Sequence, residues 1–140
     1  MPSVFETIIT ALRTLIDEAT PATVIRGGGP PSDVPAPGLV VLIDGEPGEA
    51  ETTLSPLTWH YEHEAAVEVY SAAPDRDAGL DAIRVAIGTA IAADRTLGGL
   101  CDWIEAEAPS TETLPLAGGA TTKAAIIPIR LSYATTDPLI

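Results

Sequence analysis

The stretch Ile91–Glu107, IAADRTLGGLCDWIEAE, carries a helix-period run into a polar stop, a pair of glycines and then an alternating segment. It marks a packed corner between a helix and a strand. Upstream of it, Leu80, Ile83, Ile87, Ala90 and Ile91 recur at the three- and four-residue spacing of one helix face. Pro74-Asp75-Arg76-Asp77 supplies the start of this helix, which the pattern carries to about Asp94. Its many small residues, among them Ala82, Ala86, Gly88, Ala92 and Ala93, permit close approach to a sheet. At the corner itself one glycine of Gly98-Gly99 is expected at positive φ, with Leu97 turned inward as the apolar partner of the cap. Leu100–Glu107 then reads as a strand, with Leu100, Asp102, Ile104 and Ala106 facing one way and Cys101, Trp103, Glu105 and Glu107 the other.

The same reading extends to both ends. Phe5, Ile8, Ile9, Leu12, Leu15 and Ile16 predict an amphipathic helix over Val4–Ile16, with Ser3 as its cap, Glu6 completing a capping-box pattern and Pro21 closing the segment. Thr23–Arg26 has the length of a short strand. Gly27–Gly38, GGGPPSDVPAPG, is too rich in glycine and proline for regular structure and reads as a loop or arm; a mobile surface loop and a segment that orders on assembly both fit it. Leu39–Asp44, LVVLID, is apolar enough for a largely buried strand, turning at Asp44-Gly45 into a polar hairpin loop, EPGEAETT.

Leu57–Ser71 alternates along its length. Trp59, Tyr61, His63, Ala65, Val67 and Val69 share one face, and His60, Glu62, Glu64, Ala66, Glu68 and Tyr70 the other, so a long strand with one apolar and one acidic side is expected. A strand of this length invites a bend or bulge near Ala65-Ala66. Pro109–Gly119 reads as a loop. Thr121–Ala134 gives the last strand, which Pro128 would confine to a sheet edge or to a bulge. The predicted order is α, β, β, β, α, β, β. It implies a single α+β domain over residues 1–140: a mostly antiparallel sheet with two main helices packed on one face, and a Pro/Gly-rich loop or arm at about 27–38.

Composition excludes several function classes. With 20 acidic and 7 basic residues the formal net charge is −13, which disfavours a groove for phosphate backbones. The longest apolar runs, Leu39–Ile43 and Ala124–Ile129, fall far short of the roughly 18 to 20 residues that span a bilayer. The first residues lack a basic leader, and the expected setting is a cytoplasm, with no membrane. The single Cys101 excludes an internal disulfide framework and reads as a buried apolar side chain on its strand.

The two histidines lie in Trp59–Glu64, WHYEHE. A metal site there would draw on His60, Glu62 and Glu64 on one strand face, but zinc wants three or four converging ligands and no second histidine cluster exists. The solvated face of an amphipathic strand explains these residues as well. No G-x-S-x-G elbow is present, Cys101 has only these imidazoles as possible bases, and Gly27–Gly29 leads into prolines instead of the helix a phosphate loop requires. The expectation is therefore no catalytic residues, no cofactor-binding residues and no metal.

As a whole the pattern resembles the tail-terminator, or tail-completion, proteins of long-tailed bacteriophages and related prophages. The resemblance runs over most of the chain: the leading helix, the Pro-rich loop, GLVVLIDG at Gly38–Gly45, the strand Trp59–Tyr70, ADRTLGG at Ala93–Gly99 and IPIRLSYATTDPL at Ile127–Leu139. It implies a structural virion protein, not an enzyme: a ring-forming α+β subunit, typically a homohexamer, that caps the tail tube and joins it to the head connector. The implied partners are further copies of the chain, the tail tube protein and a connector or stopper protein, with DNA only as passing cargo. The implied location is the virion neck, and the host cytoplasm during assembly. Another neck component, such as a head-tail joining protein, is the alternative within this class. A small-molecule acyl transferase is the alternative outside it.

Overall fold

The computed structural model describes residues 1–28, 33–72, 74–115 and 121–140. Helix α1 (Val4–Ala19) is followed by β1 (Thr23–Arg26), β2 (Leu39–Glu46), β3 (Glu51–Thr53) and β4 (Thr58–Ala72), then by helix α2 (Arg76–Ala93) and strands β5 (Trp103–Ala106), β6 (Ser110–Pro115) and β7 (Thr121–Thr135). The strands form one seven-stranded sheet in the order β1-β2-β4-β7-β5, with β3 added to β4 and β6 to β7. Among the described residues only the β1–β2 pair is parallel. The α+β class read from the sequence is the class observed.

The sheet is organised by β4 and β7, which pair from Trp59↔Thr135 to Ala72↔Thr122 without a register shift. Alternation then sorts the residues. His63, Ala65, Val67 and Val69 of β4 face the helices beside Leu131, Ile129, Ile127 and Ala125 of β7, and all are buried. Onto this face α1 places Ile8, Ile9, Leu12 and Ile16, and α2 places Leu80, Ile83, Ile87 and Ile91. Each such side chain contributes about 1.5–3 kcal/mol on leaving water. The Ser3 hydroxyl caps α1 by accepting from the Glu6 N–H at 3.1 Å, although the Glu6 carboxylate turns away to Arg26 instead of closing the capping box. No helix among the described residues is long and apolar enough to cross a membrane.

The run Leu39–Leu42 is apolar throughout because this part of β2 is buried on both sides. Val40 and Leu42 enter the main core, whereas Leu39 and Val41 join Val34, Tyr70 and Ala124 in a second, smaller cluster on the opposite sheet face. Val34 belongs to the Pro/Gly-rich segment, so the part of that loop nearest β2 packs on the sheet. The Gly38 N–H, donated to the Pro35 carbonyl at 2.8 Å, tightens the turn that delivers it. Residues 29–32 of the segment lie outside the described residues.

Several expectations require correction. The last strand is central, not an edge: β4 pairs with one side of β7, and β5 and β6 share the other. Pro128 is tolerated because its carbonyl accepts from the Glu107 N–H, which places its missing donor at the seam where the chain passes from β5 to β6. The loop read over Pro109–Gly119 contains β6 as far as Pro115, and EPGEAETT contains β3. The irregularity expected near Ala65-Ala66 lies on the partner strand, between Ile43 and Glu46 of β2. There Gly45 takes φ +67° and β2 continues to Glu46. Strand β5 starts at Trp103, not Leu100, and Cys101 is buried within the preceding turn.

In that turn Leu97 is itself left-handed, with φ +49°, as are Gly98 at +70° and Gly99 at +91°; Leu97 is buried as expected. The turn is held by the Asp94 carboxylate accepting from Gly98 N–H at 3.0 Å and by the Thr96 carbonyl accepting from Gly99 and Cys101 N–H at 3.0 Å each.

The two kinds of glycine should respond differently to a side chain. A Cβ on Gly45 would meet the Glu64 carbonyl of the central strand, whereas one on Gly98 meets nothing. Gly98→Ala is expected to cost about 1 kcal/mol, the conformational penalty alone. Gly45→Ala should exceed that, at about 3 kcal/mol, since backbone must also shift. Urea unfolding of the two variants checks the order; equal losses would mean that the bulge yields without cost.

Candidate functional site

The motif WHYEHE divides between the two sheet faces, as its alternation requires. His60, Glu62 and Glu64 are exposed on the face away from the helices; His63 is fully buried on the other. The His63 ring stacks on Phe5 of α1 with centroids 5.1 Å apart. Its Nε2 lies 2.5 Å from the Asp44 carbonyl, and its Nδ1 lies 3.0 Å from the Tyr133 hydroxyl. A carbonyl can only accept, so Nε2 carries the hydrogen and donates. With that one ring hydrogen on Nε2, Nδ1 is placed to accept from the Tyr133 O–H. Burial pushes the Tyr133 phenol up to about 12, so it remains a donor at physiological pH. The bulge in β2 and the imidazole in β4 thus fit together: the irregular strand turns the Asp44 carbonyl inward and His63 satisfies it.

Beside this junction Arg26 at the end of β1 makes two carboxylate forks. Its Nη1 and Nη2 donate to Glu6 at 2.7 and 2.9 Å, and its Nε and Nη2 donate to Asp44 at 2.7 Å each. These bonds hold both carboxyls below their ordinary range and push the guanidinium further up. The contact ties the first turn of α1, the parallel edge strand and the bulge together. Cys101 is inert by the same physics in reverse: burial, with Asp102 and Asp94 nearby, pushes its thiol up to about 11.

The face turned away from the helices is where charge collects. Register places Glu51 on β3, Glu62, Glu64 and Glu68 on β4, Glu105 on β5 with Glu107 just beyond it, and Glu112 on β6 on this one side. Among the described residues of these strands and the facing positions of β7, the cation on that side is Arg130. It sits 2.7 Å from Glu105, 3.6 Å from Glu107 and 3.8 Å from Glu62. Ala66, Pro128 and Ile126 form an uncharged strip among the carboxylates. At the margin, Trp103 is half exposed, with the Arg95 guanidinium 5.1 Å from its ring centroid. Arg95 also closes the outer edge of β5, since its carbonyl accepts from the Ile104 N–H at 2.8 Å and its Nη1 donates to the Ile104 carbonyl at 3.0 Å.

The sequence pattern placed the β4 glutamates on one face. It could not bring Arg130, Glu105 and Glu107 to them, because that depends on the β4–β7 and β5–β7 registers. The Arg26 forks were also missed; three charges scattered over forty residues carry no local signal. No group of three or more His, Cys, Asp or Glu placed to hold a metal occurs among the described residues. No protein-family model matches the chain, and a search of curated proteins finds no match either.

Two outcomes follow. His63→Leu should lower stability by about 2–4 kcal/mol, because it strands the Tyr133 hydroxyl and the Asp44 carbonyl in the interior, whereas His60→Ala on the exposed face should stay within about 0.5 kcal/mol. Thermal melting with and without chelator checks both, and a chelator effect confined to proteins with both histidines would instead make WHYEHE a metal site. The Arg26 forks predict an acid dependence. The folded-state values of Glu6 and Asp44 are depressed from 4.5 and 3.8, so the stability they contribute is fully present above those values and is lost as pH falls through the depressed ones. The stability difference between the parent and Arg26→Met should therefore be largest near neutrality and shrink in acid; a difference independent of pH would show that the arginine acts through packing alone.

Proposed function

We propose that the chain is a structural subunit of a long-tailed bacteriophage or prophage tail: a terminator that forms a ring, typically a hexamer, caps the tail tube and joins it to the head connector. It needs neither metal nor cofactor and has no catalytic role. The observation that carries this reading is the segregation of acid onto the sheet face that no described helix covers, from Glu51 through Glu64 and Glu68 to Glu112, with Arg130 in its midst. A wall of this kind repels the phosphate backbone and lets a duplex slide past instead of binding it. In the proposed ring this face lines the channel and the helices lie outside. The resemblance over most of the chain supports the same reading, as does a sheet whose outermost strand β1 is short, exposed at Ile25 and paired on one side only among the described residues.

The test has two parts. Mass measurement and negative-stain imaging of the purified protein, and of assembled particles, should give a closed ring; a chain that is monomeric in both overturns the proposal. The channel assignment is tested with Glu51→Lys/Glu64→Lys/Glu112→Lys. Rings of this variant should retain linear duplex DNA at low salt, release it as salt rises, and fail to retain closed circular duplex, which has no end to thread. Equal retention of circles and linear duplex would place the acidic face on the outside of the ring.

A further inference from the structure

We draw no further inference here: the strongest candidate, the solvent-facing stripe of α2 at Ala78, Ala82, Val85, Thr89 and Ala92 beside the shallow trough between α2 and Ala106–Pro109, is a face of small and apolar residues with nothing in the structure to show what covers it.

Discussion

The unbroken pairing of β4 with β7 is the constraint on which the rest of the molecule depends. Two fifteen-residue strands in one register commit every second residue of both to the same side. A slip of one strand by one position against the other would carry either Val67 and Val69 of β4 or Ile127 and Ile129 of β7 out to water and bring Glu62 and Glu64, or Arg130, into the core, so the register is fixed by both faces at once. The strands are longer than any other element can flank. Each therefore takes two shorter partners along its outer edge, β2 and β3 beside β4, and β5 and β6 beside β7. The outer edges of the pair are where the chain tolerates irregularity: on one side the bulge at Gly45, within β2, and on the other Pro128, at the seam between β5 and β6.

This division also explains what the sequence could and could not disclose. The α1 and α2 stripes and the Leu57–Ser71 alternation were legible because each is a local pattern whose burial matches its period. Pro128 misled because a missing N–H argues for an edge only when the neighbouring strand is continuous; a break between β5 and β6 removes the need for the donor. Strands β3 and β6 were missed for a different reason. Glu51-Thr52-Thr53 is exposed throughout, and the Ser110–Thr113 part of β6 is polar, so neither carries an apolar period; both are strands because β4 and β7 offer them an edge. Val34 was hidden in a run of glycine and proline whose composition describes its backbone, not the contact made by its one aliphatic side chain.

The buried polar network shows how a costly residue becomes necessary. An imidazole with no exposure is favourable only if both ring nitrogens are used, and the partners come from distant elements: a phenol on β7 and a carbonyl freed by the β2 bulge. Replacing the bulge by a regular strand would orphan His63. Phe5 stacks on the same ring, and Arg26 binds the next residue of α1 as well as the side chain of the bulge, so the helix start, the bulge and the edge strand form one joint. Alternation alone put His63 on the apolar face; its partners were not readable from composition.

The acidic face has the opposite character. Burial fixes the helix-facing side of the sheet, but nothing internal requires the other side to be glutamate. Adjacent strands gain from opposite charges and lose from like ones, and among the described residues of the sheet one arginine on this face serves three carboxylates. Serine or threonine at the exposed strand positions would keep the period and the pairing, with less repulsion. The fold thus accommodates this charge without being stabilised by it, and that is why the acidic side, more than the well-packed histidine junction, carries the argument for function. A surface that resists polyanions suits a conduit better than a binding groove, and Glu51, Glu62, Glu64, Glu105 and Glu107 lie on the part of this face beyond the small cluster that Val34 joins.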